Sequence, residues 1–75
     1  MSEFWTIKPI HRENYMLINI NQITTIEPYI DTTRYSLTRG DTLYRVTFSS
    51  GENEDINKEE YELIEKQMED SLLNN

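Results

Sequence analysis

Leu43-Tyr44-Arg45-Val46-Thr47-Phe48-Ser49-Ser50-Gly51-Glu52-Asn53-Glu54-Asp55-Ile56-Asn57-Lys58-Glu59-Glu60-Tyr61 carries the signals that decide the fold. Its first six residues alternate, and β-branched and aromatic side chains dominate them, as in a half-buried strand. Tyr44, Val46 and Phe48 fall on one face, which is expected to be core, and Leu43, Arg45, Thr47 and Ser49 fall on the other. Ser49-Ser50-Gly51-Glu52 reads as a tight turn. The acidic run that follows reads as the approach to a helix. Asn57 suits the N-cap, Glu60 stands three residues on, and Ile56 with Tyr61 matches a hydrophobic staple.

The helix is expected over residues 57–73. At about 100° per residue, Tyr61, Ile64, Met68 and Leu72 share a sector and form a core stripe. Leu63 and Leu73 lie off it. Glu62 and Lys66 are spaced as an i,i+4 pair in the favourable orientation. The terminal Asn74-Asn75 is expected to fray.

Upstream of this stretch the signals are shorter. Phe4-Trp5-Thr6-Ile7 is a strand candidate limited by Pro9. Tyr15–Ile20 is a second strand, apolar on both faces and therefore expected to be central. Ile20, Ile23 and Ile26 are spaced by three, so a turn or bulge at Asn21-Gln22 is needed to return the last two to the core. Thr24–Glu27 is a third strand ended or bent by Pro28. Residues 28–35 read as an exposed loop, and Tyr35–Thr38 is expected to pair with Thr42–Ser49 through Arg39-Gly40-Asp41. The fold class is then α+β: one small antiparallel sheet of four to five strands, flat or curled, followed by a C-terminal helix packed on it.

Ile18–Glu27 resembles the strand–turn–strand phrase of several short β-rich families, among them FlbD-type flagellar proteins and LytTR-type DNA-binding domains. The resemblance covers about ten residues and the later strand–glycine phrase. It departs at residues 28–41, and an acidic helix is opposite to what LytTR-type DNA binding requires.

The chain has 75 residues, which makes one domain, residues 1–75, with a thin core. Small sheets often complete their burial against a copy, so a homo-oligomer is among the expectations. Without cysteine there is no disulfide, zinc ribbon or thiol catalysis. The N-terminal residues lack a secretory pattern. The longest strongly apolar run, residues 15–18, is four residues, against roughly 20 for a membrane helix. The expected setting is cytoplasmic, with no membrane association.

The net charge of −7 is unevenly placed. Residues 1–51 carry five acids and five bases, whereas residues 52–75 carry nine acids against Lys58 and Lys66. An acidic helix repels a phosphate backbone, so direct nucleic-acid binding is not expected. It attracts a protein with a basic surface.

No catalytic or metal-binding constellation stands out. His11 is the single histidine and suits a polar turn. Residues 52–57 offer oxygen ligands, but their spacing differs from a calcium loop. Arg39-Gly40-Asp41 matches an adhesion-receptor tripeptide, yet a turn already accounts for Gly40. The chain is therefore expected to be no enzyme and to use no cofactor. The leading expectation is a small acidic interaction module that regulates or inhibits a protein partner, as phage-encoded and accessory inhibitors do. Its contact residues are expected to be Glu59, Glu62, Leu63, Glu65, Lys66 and Glu69, although Leu63 also fits a singly exposed leucine. The alternative is an oligomeric binder or sponge for a nucleotide-like ligand, with Tyr29, Arg34, Tyr35, Arg39 and Arg45 supplying stacking and phosphate contacts, although tyrosines also serve as cross-strand pairs. A self-assembling structural subunit is the third expectation.

Overall fold

The structure is a computed structural model that describes residues 4–73, with side chains through Asp70. Five strands precede one helix: β1 Phe4–Ile7, β2 Met16–Asn19, β3 Ile23–Ile30, β4 Thr42–Phe48, β5 Asn53–Ile56 and α1 Lys58–Leu73. The α+β class holds. The single sheet does not: β1 and β2 form a two-stranded antiparallel ribbon, and β3, β4 and β5 form a separate three-stranded sheet in that order. The division falls at one turn of 3₁₀ helix, Ile20–Gln22, whose N-cap Asn19 accepts from the Asn21 amide at 2.9 Å. That turn redirects the chain, so β2 and β3 do not share a ladder.

The same turn satisfies the isoleucine spacing. Ile23 and Ile26 both return to pack against the core, and a register shift between Ile23 and Thr25 adjusts their facing. The Ser49 amide donates to the Gln22 carbonyl at 2.7 Å, and the Ser49 hydroxyl meets the Gln22 side chain. The 3₁₀ turn is thereby fastened to the end of β4.

Three expectations about strands are corrected. β2 is not central, because it pairs with β1 alone. Its Met16 and Ile18 face the core, while Tyr15 and Leu17 remain exposed. Residues 35–38 are not a hairpin partner of β4 either. β4 is flanked by β3 and β5, with Pro28 opposite Tyr44 and Tyr44 opposite Ile56. The third strand is not ended at Pro28: β3 continues to Ile30, so residues 28–30, expected to belong to a loop, pair with β4. Proline is tolerated there because β3 is an edge strand.

β5 lies in the acidic run, where only an approach to the helix is expected from sequence. It follows a turn in which Gly51 has φ +93°, a left-handed conformation that glycine adopts without penalty. The Gly51 amide donates to the Phe48 carbonyl, and the Phe48 amide to the Glu52 carbonyl, both at 2.9 Å. On its other side β5 is met by residues 10–12, since the Ile10 amide donates to the Asp55 carbonyl at 2.9 Å.

The core is small and draws one residue from each of five elements: Ile7, Ile18, Val46, Ile56 and Ile64. Tyr44 and Phe48 pack against it, so the alternation read in β4 is correct on that face. Leu43, on the other face, is nonetheless buried as well. The helix is anchored by Ile64, with Tyr61 and Met68 beside it. Its N-terminus is capped as expected, the Glu60 amide donating to the Asn57 side-chain oxygen at 2.8 Å. The reciprocal bond from Glu60 to the cap does not form. Nor do Glu62 and Lys66 approach as an ion pair. The side chains of Leu72 and Leu73, and residues 74–75, lie outside the described residues.

Candidate interaction surfaces

Apart from Glu52 in the turn before β5, the acids of residues 52–70 fall into two groups that sequence treats as one. Those of β5 have partners. Arg12 donates through Nε to Glu54 Oε1 at 3.1 Å and through Nη2 to Oε2 at 2.9 Å. Arg45, directly across the ladder from Asp55, donates through Nε at 3.2 Å. His11 Nε2 lies 3.8 Å from the same carboxylate. These bonds stabilise the charged form of each guanidinium, raising Arg12 chiefly through its hydrogen bond to Glu54 and Arg45 through its hydrogen bond to Asp55.

The acids of α1 are different. Among the described residues, no cation lies within ion-pair distance of Glu59, Glu60, Glu62, Glu65, Glu69 or Asp70. At about 100° per residue, Glu59, Glu62, Leu63, Lys66, Glu69 and Asp70 gather on the side of the helix away from Ile64. All six are exposed. Leu63 is 51% exposed, with Glu59 and Glu60 one turn before it and Lys66 and Gln67 one turn after. Glu65, expected among the contact residues, lies nearer the core flank, and its carboxylate accepts from the Tyr61 hydroxyl at 2.7 Å. That bond, followed by burial, raises the Tyr61 hydroxyl above its ordinary value.

The residues of the ligand alternative resolve into pairs. The Arg45 guanidinium lies 4.9 Å from the centre of the Tyr29 ring, and Asp55 already holds it from the side. Burial, followed by the neighbouring Asp55, raises the Tyr29 hydroxyl. Arg34 lies 5.6 Å from the centre of the Tyr35 ring, within range of a cation–π contact. Arg39 has neither an ion-pair nor an aromatic partner among the described residues.

Arg34, Tyr35 and Arg39 belong to the connection between β3 and β4, which Asp31 organises. Asp31 is buried, and its carboxylate accepts from the Thr33 amide at 2.8 Å, the Ser36 hydroxyl at 2.9 Å and the Thr38 hydroxyl at 2.5 Å. These donors, led by Thr38, hold the carboxyl well below the usual carboxylate range. The base of the loop is closed by Asp31 N–H to Asp41 C=O at 2.9 Å and Gly40 N–H to Asp31 C=O at 2.8 Å. The sequence does contain a signal for this loop: an aspartate followed at short spacing by Thr33, Ser36 and Thr38, the residue types that bind local backbone and one another.

Two open clefts border these surfaces. One, of about 380 Å³, runs between the base of the loop and the start of α1, lined by Thr38, Asp41, Leu43, Asn57, Lys58 and Glu59. The other, of about 340 Å³, is lined by Arg12, Glu13, Asn14, Tyr15 and Met16. Among the described residues no three His, Cys, Asp or Glu side chains are grouped to hold a metal ion, and no helix is long and apolar enough to cross a membrane. No protein-family model matches this chain, and neither a curated protein nor a solved structure does.

Proposed function

We propose that the chain is a non-enzymatic interaction module that regulates or inhibits a protein partner through the outer face of α1. One observation carries this reading: the carboxylates of β5 have arginine partners within the chain, while among the described residues no cation lies within ion-pair distance of those of α1. Carboxylates aligned on one helix face, outnumbering the single Lys66 there, raise the local concentration of a basic protein and orient its approach. Leu63, half-exposed at the edge of that face, adds an apolar contact that a partner can desolvate. The partner is accordingly basic around a small apolar depression. A phosphate backbone is repelled from the same face.

Capture from a cell lysate at low ionic strength tests this, comparing the native chain with a variant carrying Glu59→Lys, Glu62→Lys and Glu69→Lys. A basic protein should be retained by the native chain, lost with the triple variant, and still retained by an Arg34→Glu, Arg39→Glu variant. Retention of the same proteins by the triple variant overturns the proposal, as does a native column that retains nothing beyond the blank.

A further inference from the structure

Among the described residues, Tyr35 and Leu37 are the most exposed large hydrophobic side chains, at 91% and 104%. Ile30, where β3 enters the loop, is 62% exposed. Such residues on a floppy loop need no explanation, but this loop is closed at its base by backbone bonds joining Asp31 to Gly40 and Asp41 and tied through its middle by the buried Asp31 carboxylate. Tyr35 is also held at φ +67°, the only non-glycine residue with positive φ among those described. A bulky residue in the left-handed region is disfavoured, and the surrounding hydrogen bonds maintain it there. The fold thus orders a loop whose apolar tip buries nothing within its own chain. An ordered loop loses little entropy on docking, and tyrosine and arginine are the residue types that dominate contact energies.

The charge at the tip points to the occupant. Arg34 and Arg39 flank Tyr35 and Leu37 and have no acidic partner among the described residues. The loop's one buried acid is enclosed by its own hydroxyl and amide donors. The complementary surface is an exposed apolar residue framed by unpaired carboxylates. The outer face of α1 supplies that, with Leu63 beside Glu59 and Asp70, and Glu62 and Glu69 further round the same face past Lys66. We propose that the 31–41 loop docks on the outer face of α1 of a second copy of this chain. In each copy the loop base adjoins the first turn of α1 across the cleft lined by Thr38, Asp41, Asn57, Lys58 and Glu59. Two loop–helix contacts can therefore form together about a two-fold axis, the arrangement that closes a dimer. Using both contacts moves the interface toward the roughly 800 Å² per partner of a stable complex. The proposal rests on the reading of α1's outer face as a contact surface, and it adds a consequence: self-association and capture of a basic partner compete for that face.

Sedimentation equilibrium of the full chain tests this at low and high salt, with circular dichroism confirming that each variant is folded. The native chain should reach the mass of two chains at low salt and dissociate at high salt. The Arg34→Glu, Arg39→Glu variant should be monomeric, as should a Glu62→Lys, Glu69→Lys variant. An equimolar mixture of the two should regain the dimer mass, because each loop then meets a helix of opposite sign. A native chain monomeric at all concentrations, a loop variant as dimeric as the native chain, or folded variants whose mixture stays monomeric would each overturn the pairing. Partner capture by a chain that never dimerises removes this inference and leaves the functional reading standing. A dimer that is rescued by the mixture but captures nothing does the reverse.

Discussion

Tyr44 of β4 and Tyr61 of α1 lie ring on ring, with centroids 3.9 Å apart and planes 3° from parallel. They bracket the stretch that contains the β4–β5 turn, β5 and the helix cap. Their stack fixes the angle at which the helix leaves the sheet. It also places the Tyr61 hydroxyl within reach of Glu65, one turn along the same helix.

Replacing Tyr61 with alanine removes the stack and is expected to lower stability by at least about 1 kcal/mol, the scale of an aromatic pair. Tyr61→Phe keeps the ring and loses only the bond to Glu65, so its effect in urea titration should be much smaller. The raised hydroxyl sets a pH window. A group whose folded pKa is raised contributes fully below its unfolded value, about 10 for tyrosine, and loses that contribution as pH rises through the folded value. An absorbance titration should show a late phenolate step from Tyr29 and Tyr61, absent when both are phenylalanine.

Neighbouring helix residues should behave oppositely. Ile64 is fully buried, and Ile64→Ala is expected to cost about 2–5 kcal/mol, a large part of what so small a core provides. Leu63→Ala should change stability by less than about 0.5 kcal/mol, since its side chain is half in water. Thermal melts of the two variants give the comparison directly.

The helix cap offers a cleaner measure of local structure. Asn57→Ala removes the acceptor of the Glu60 amide and is expected to cost about 0.5–2 kcal/mol. Asn57→Asp should retain the bond and add a favourable charge at the helix start. Denaturant midpoints for the two variants should therefore separate, with aspartate at or above the native value.

The Asp31 loop makes a prediction on the acid side. A carboxyl whose folded pKa is depressed contributes stability above its unfolded value, near 3.9, and loses it as pH falls toward the folded value. Amide exchange at Thr33 and Gly40 should stay slow as pH is lowered to about that value, and quicken only below it. Asp31→Ala should quicken exchange at both sites at every pH, because the acceptor of three bonds is gone.

Much of the fold was legible where the deciding forces are local. The alternation of Tyr44, Val46 and Phe48, the Asn57 cap and the turn needed between Ile20 and Ile23 involve neighbours in sequence, and each is found. β5 was not legible, because Asn53-Glu54-Asp55 has poor intrinsic strand preference. It is a strand because Arg12, forty-two residues away from Glu54, and Arg45 across the ladder balance its acids. The expected Tyr35–Thr38 hairpin arm failed for a related reason. Asp31 gathers those hydroxyls into a loop, and β3 passes through Pro28 to take the position beside β4. The acidic contact face was legible as charge, but its limits were not. Sequence alone cannot show that Glu54 and Asp55 are neutralised while Glu59, Glu62 and Glu69 are not, nor that Glu65 turns toward Tyr61.

That difference between the two groups of acids is tested most directly by an NMR titration of the isotope-labelled chain with a lysine-rich peptide at low ionic strength. The amide shifts should change most at Glu59, Glu62, Leu63, Lys66 and Glu69, fade with added salt, and leave Glu54 and Asp55 nearly unmoved. Changes centred on β5, or spread evenly over every exposed acid, would contradict the assignment of the outer face of α1 as the contact surface.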